Sequence, residues 1–98
     1  MKITLSAVAE DDLAAIGDWD CQFSPQLAVE FLDNFEETCM VITQFPHSGV
    51  LFRKKYRQFV MEGFPYLIIY QLINETIVII SVAHNNRSHK NRLKGTGK

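Results

Sequence analysis

Apolar residues follow two different rhythms along this chain. In the first half they recur at helical spacing, and in the second they alternate or run together. Ile3-Thr4-Leu5 is a short extended segment. Ser6 then offers a hydroxyl to cap a helix, and Glu10, Asp11 and Asp12 place negative charge near its N-terminus, where the helix dipole favours it. Ala9, Leu13 and Ile16 fall at i, i+4 and i+7, one face of a helix. The pattern predicts a first helix over residues 7–20, with Gly17 weakening its end. Ser24-Pro25 is a second start signal, a capping serine followed by proline at the first helical position. Ala28, Phe31, Leu32, Phe35, Cys39 and Ile42 continue as an apolar stripe, with Glu30, Asp33, Glu36 and Glu37 mostly off it. A second helix is expected over 25–44, packed on the first as a hairpin. Pro46-His47-Ser48-Gly49 ends it and turns the chain.

Beyond that turn the period changes. Residues 56–61 (Tyr-Arg-Gln-Phe-Val-Met) have strand composition, and Gly63 to Pro65 interrupt them. Residues 66–72 form a strong strand, Asn74-Glu75 a tight turn, and residues 76–83 a near-continuous apolar strand. Such a run suits a central strand covered on both faces, or nearly so. The order β-α-α-β-β-β predicts an α+β domain: an N-terminal strand, then a helical hairpin packed on a small antiparallel sheet. The first strand is expected to join the sheet made by the last three. Ninety-eight residues are one domain, 1–98, with 88–98 expected to be a flexible basic tail.

Composition changes this picture in one respect. The hydrophobic share of 47% suffices for a core. No apolar run reaches membrane-spanning length, and no signal peptide precedes the acidic stretch at Glu10, so a cytoplasmic location is expected. Cys21 and Cys39 lack metal-site spacing and are expected to be reduced, with Cys39 buried. No metal or cofactor is expected. The charge, however, is split. Residues 1–49 hold one base, Lys2, against nine acids, for a net −8. Residues 50–98 hold nine bases against Glu62 and Glu75, for a net +7. Two readings follow: the second half meets an anionic partner, or the halves complement each other within the fold.

Several short patterns, in order and at the right intervals, resemble the RelE/ParE toxin superfamily. They are Ala9, Asp12, Leu13 and Ile16 in the first helix, Ala28 and Phe31 in the second, and Pro46 and Gly49 at its exit. Arg57 and Phe59, then Tyr66, Ile68 and Tyr70, mark the strands, and Val82, His84 and Arg87 the last strand's end. The resemblance covers almost the whole chain. It implies the toxin of a type II toxin–antitoxin pair, of the kind associated with plasmid stabilisation. A cognate antitoxin would wrap it, as a disordered segment can. An acidic reading frame of roughly 60–90 residues beside the gene is expected to encode that partner. Free toxin could form a homodimer, or a heterotetramer with antitoxin.

The superfamily has two activities. RelE-type members cleave mRNA on the ribosome, which needs a base, a cation for the phosphate and an acid. ParE-like members are thought to inhibit DNA gyrase without cleaving a substrate. Carried onto this chain, the RelE-type positions fall on Leu67, Asn85 and Asn91 where charge or a phenol is wanted. Of two basic positions on the preceding strand, Arg57 remains and Phe59 replaces the other. The ParE-like branch is therefore expected, with no firm catalytic residues. Were the chain a nuclease, Arg57, Glu62, His84 and Arg87 would be the candidates. His89 and His47 are expected to be exposed and uninvolved. Arg53, Lys54, Lys55 and Arg57 could be a solvated loop, an antitoxin-binding patch or a nucleic-acid contact. Arg87, Lys90, Arg92 and Lys94 form a second basic cluster that could join them. A degenerate, non-toxic binding module is the third reading.

Overall fold

Two serines open the two helices, as their sequence positions require. The computed structural model describes residues 1–85, and the elements run β1 (Lys2–Leu5), α1 (Ala7–Phe23), α2 (Pro25–Gln44), β2 (Val50–Phe52), β3 (Tyr56–Val60), β4 (Tyr66–Ile73) and β5 (Thr76–His84). Ser6 Oγ accepts from the Ala9 N–H at 3.1 Å. Ser24 serves both helices. Its N–H donates to the Asp20 carbonyl at 3.0 Å, closing α1, and its Oγ accepts from the Leu27 N–H at 3.4 Å, opening α2.

The structure departs from the sequence pattern in three places. The first helix runs to Phe23 rather than ending at residue 20. Glycine in a helix costs only about 0.5–1 kcal/mol relative to alanine, and burial of Ile16 and Asp20 on either side of Gly17 keeps the turn together. The apolar stripe of α2 is rotated: Phe31, Phe35 and Ile42 are buried as expected, but Leu32 is exposed and Thr38 takes an inward place. Thr38 is tolerated there because its hydroxyl donates to the Asn34 carbonyl at 2.8 Å. The sheet also has a fifth strand, β2. Three residues are too few to show an alternation, so its strand character comes from pairing with β3.

The strand order is β1-β5-β4-β3-β2. β1 lies parallel to β5, and the other neighbours are antiparallel. The first strand does join the sheet, on the β5 edge. The helical hairpin packs on one face, where Phe31, Ile42, Ile68, Tyr70, Ile77 and Ile79 are fully enclosed. On the opposite face Leu67, Ile69 and Ala83 are buried with Phe52, Tyr56 and Ile80 against them. β4 therefore buries four successive residues, 67–70, as an interior strand should. Among the described residues, no helix is long and apolar enough to cross a membrane. The expected basic tail, 88–98, lies outside the described residues.

Candidate functional site

β5 carries a bulge, and α1 is built around it. Ile69 pairs with Ser81 but Tyr70 pairs with Ile79, leaving Ile80 without an opposite residue. A bulge strands backbone groups that the ladder would otherwise satisfy. Here the β1–α1 junction satisfies them. The Ser6 N–H donates to the Ile79 carbonyl at 2.9 Å, and Ser6 Oγ donates to the Ile80 carbonyl at 2.8 Å. Asp12 Oδ2 accepts from Ser81 Oγ at 2.9 Å and from the Val82 N–H at 3.0 Å. Asp12 thus ties the middle of α1 to the strand, and hydrogen bonds to a charged acceptor are the stronger kind.

A second set of bonds fixes the loop between α2 and β2. The buried phenol of Tyr70 donates to the Pro46 carbonyl at 2.8 Å and accepts from the Gly49 N–H at 3.1 Å. A Cβ at residue 49 would sit 2.7 Å from that phenol oxygen and 2.9 Å from the Gln58 carbonyl, so only glycine fits. Arg57 Nη1 donates to the carbonyls of Gly49 at 2.8 Å and His47 at 3.1 Å. Arg57 is therefore held by loop carbonyls of its own chain.

At the other end of β4 the molecule opens into a cleft of 730 Å³. α1 forms one wall through Asp12, Ile16, Trp19 and Asp20, and Leu27 of α2 closes one side. The floor is the turn Gly63–Tyr66 with Val82 and His84 of β5. The turn is held by Met61 N–H to the Tyr66 carbonyl (2.9 Å) and Asn85 N–H to the Pro65 carbonyl (2.7 Å). Asn34 Nδ2 also donates to the Glu62 carbonyl at 2.7 Å. Phe31 packs edge-on against both Phe64 and Tyr66, and Tyr66 packs edge-on against His84.

Asp20 is the unusual group in this cleft. It is 6% exposed, and its Oδ2 is buried with no hydrogen-bond partner among the described residues. Burial raises its carboxyl above the ordinary value of 3.8. Burial also raises the Tyr66 phenol, and the negative charge of Asp20 adds to that shift. The cleft therefore holds two carboxyls, a phenol and an imidazole among apolar walls.

The residues singled out from sequence are dispersed rather than gathered. Arg53, Lys54 and Lys55 form the β2–β3 turn, at the opposite end of the sheet from the cleft. Arg53 lies over the Phe52 ring and Lys55 over the Tyr56 ring, each at 5.3 Å. Arg53 and Lys54 both adopt positive φ, 51° and 72°, conformations that non-glycine residues rarely take. Arg57 pairs with Tyr70, four positions along β4 from Tyr66, roughly 13 Å away at strand rise. Glu62 is exposed beside the cleft, and His84 lines it. Arg87, Lys90, Arg92 and Lys94, and with them Asn91 and His89, lie outside the described residues. Cys21 is exposed, and Cys39 is half-buried rather than fully enclosed. Burial, and then Glu36, push the Cys39 thiol up to about 11.

Asp20 went unnoticed in the sequence, although a signal was there. It falls four residues after Ile16, so it extends the stripe of Ala9, Leu13 and Ile16 by one turn. A carboxylate at a core-facing position is expensive to bury unless something pairs with it.

The comparisons with known proteins agree with this architecture. A family model described as the ParE toxin of the type II toxin–antitoxin system, parDE, matches residues 3–89. No curated protein matches the chain. Among solved structures, one titled as the chromosomal ParDE TA system from P. aeruginosa is similar, with TM-score 0.74 and 19% identity, over 86% of this chain and 95% of that one. The isolated E. coli RelE toxin is similar with TM-score 0.62 and 15% identity, over 96% of each chain. At these identities the two structures speak for the fold, while the family model spans nearly all of the described residues. The chain belongs to the ParE toxin family of type II toxin–antitoxin systems.

Proposed function

We propose that this toxin arrests growth by binding an essential cytoplasmic target, DNA gyrase, and that a cognate antitoxin neutralises it. The observation that carries this reading is the state of the groups an RNA-cleaving site would need. Leu67 stands where RelE-type members are expected to place an arginine, and it is 1% exposed inside the sheet's second cluster. Arg57, the remaining cation on β3, donates to the carbonyls of His47 and Gly49. Among the described residues lining the cleft with His84, none is lysine or arginine. A cleft whose described lining holds no cation is poorly suited to a phosphate whose charge grows in the transition state. Binding, unlike cleavage, needs only complementary surface.

Purified protein is expected to inhibit gyrase supercoiling while leaving mRNA intact in a translating extract. Transcript cleavage that disappears in His84→Ala would overturn the reading in favour of a ribosome-dependent mRNA endonuclease. If the chain, expressed without its antitoxin, leaves growth unchanged, it is a degenerate binding module. Co-expression with the adjacent acidic reading frame is expected to restore growth and to yield a stable complex.

A further inference from the structure

We propose that the cleft between α1 and the β4–β5 end is a receptor for one cationic side chain, an arginine or lysine on an apolar segment of a partner chain, with Asp20 as its counter-ion. Asp20 carries the argument. A carboxyl this buried normally has its oxygens matched by donors, yet Oδ2 has none among the described residues. Asp12, the other acid in the cleft, is already engaged by Ser81 and Val82. The two carboxylates that α1 contributes to the cleft are therefore in different states. One is a satisfied structural tie, and the other lacks a donor.

The surroundings favour a cation over a neutral donor. No lysine or arginine is among the described residues lining the cleft. Bringing in a guanidinium or ammonium would give Asp20 a charge-assisted bond in a poorly solvated place, where such bonds are strongest. It would also place that charge near the indole of Trp19, whose ring face attracts cations. Trp19 and Phe23 stand edge to face at 5.3 Å on the rim, 57% and 67% exposed. Exposed aromatic pairs of this kind suit apolar residues flanking the inserted base. A volume of 730 Å³ has room for a long side chain and part of its neighbours.

The proposal deepens the antitoxin reading above and rests on it only for the name of the occupant. Its test is a random peptide library selected on the purified full-length chain and, in parallel, on Asp20→Asn. Selections on the wild-type chain are expected to enrich arginine or lysine at one position flanked by apolar residues. Selections on Asp20→Asn are expected to lose that preference. In the best peptide, arginine replaced by its neutral isostere citrulline should weaken binding at least tenfold to the wild-type chain and less than twofold to Asp20→Asn. Trp19 is the only tryptophan, so its emission should shift when the wild-type chain binds. Trp19→Ala truncates a side chain that is 57% exposed and should weaken the same peptide, followed by anisotropy of a labelled peptide. The absence of an enriched basic position, an equal citrulline loss on Asp20→Asn, or binding that leaves Trp19 emission and Trp19→Ala affinity unchanged would each overturn the proposal. A chain that selects arginine yet does not arrest growth would keep the receptor and lose the toxin reading.

Discussion

The two ends of the sheet are built from the same strands yet offer different chemistry. At the end where β3 leads into β4, α1 leans over the strands and encloses an apolar, acidic cleft around Asp20. At the other end the β2–β3 turn holds Arg53, Lys54 and Lys55 exposed in solvent. The difference lies in what reaches each end. The cleft is assembled from residues some 70 positions apart, such as Asp12 with Ser81 and Val82. The turn is a local feature, with its cations over the rings beside them in sequence. Long-range assembly can bury an ionisable group in a way a local turn cannot, and so can select a partner by charge and shape together.

Substitutions can take these two ends apart. The largest effect is expected from Asp12→Ala, which removes the tie between α1 and the β5 bulge and leaves the Val82 N–H without a partner. Urea unfolding should show a loss of about 3 kcal/mol, and the cleft's ligand response should fall with it. Gly49→Ala perturbs the loop that Tyr70 and Arg57 hold, forcing a Cβ against the phenol and the Gln58 carbonyl. About 2 kcal/mol of destabilisation is expected, without change in the ligand preference of the cleft.

A smaller effect separates Asp20 from Asp12, the two acids of α1 that line the cleft. Burial raises the Asp20 carboxyl, so the folded state holds its proton more tightly than the unfolded chain does. Below the unfolded value both states are protonated and Asp20 costs nothing through ionisation. As pH rises through the folded value the penalty sets in and stability falls. Asp20→Asn should therefore gain stability relative to the wild-type chain at neutral pH, and the gain should shrink towards pH 4. A gain independent of pH would contradict this. The smallest effect belongs to the turn. Lys54→Gly relieves a left-handed conformation and should stabilise the chain by up to about 1 kcal/mol, with the cleft unaffected.

The legibility of the sequence follows the same division. The capping serines, the Asn74 turn and the apolar, strand-forming run of β4 act locally, and all were readable from residues close in sequence. The basic turn was readable too, since three adjacent cations need no fold to be seen. What escaped notice depends on distant partners. β2 exists because β3 pairs with it, and three residues show no period. Arg57 read as a free cation because its acceptors are backbone carbonyls, which leave no mark in a side-chain pattern. Several family motifs, Asp12, Pro46, Gly49 and Tyr70, turn out to hold the scaffold, and the concave site lies beside them. Asp20 shares the helical period of Ile16 in that site, and it was hidden by being a polar residue at the end of an apolar stripe.

The central proposal is that a cognate antitoxin meets this toxin at the cleft rather than at the cationic turn. Hydrogen exchange on the complex with the product of the adjacent acidic reading frame tests it most directly. The account predicts slowed exchange across residues 15–24, 63–67 and 82–84, with residues 53–55 exchanging as in the free chain. Protection of the turn with an unprotected cleft would contradict it.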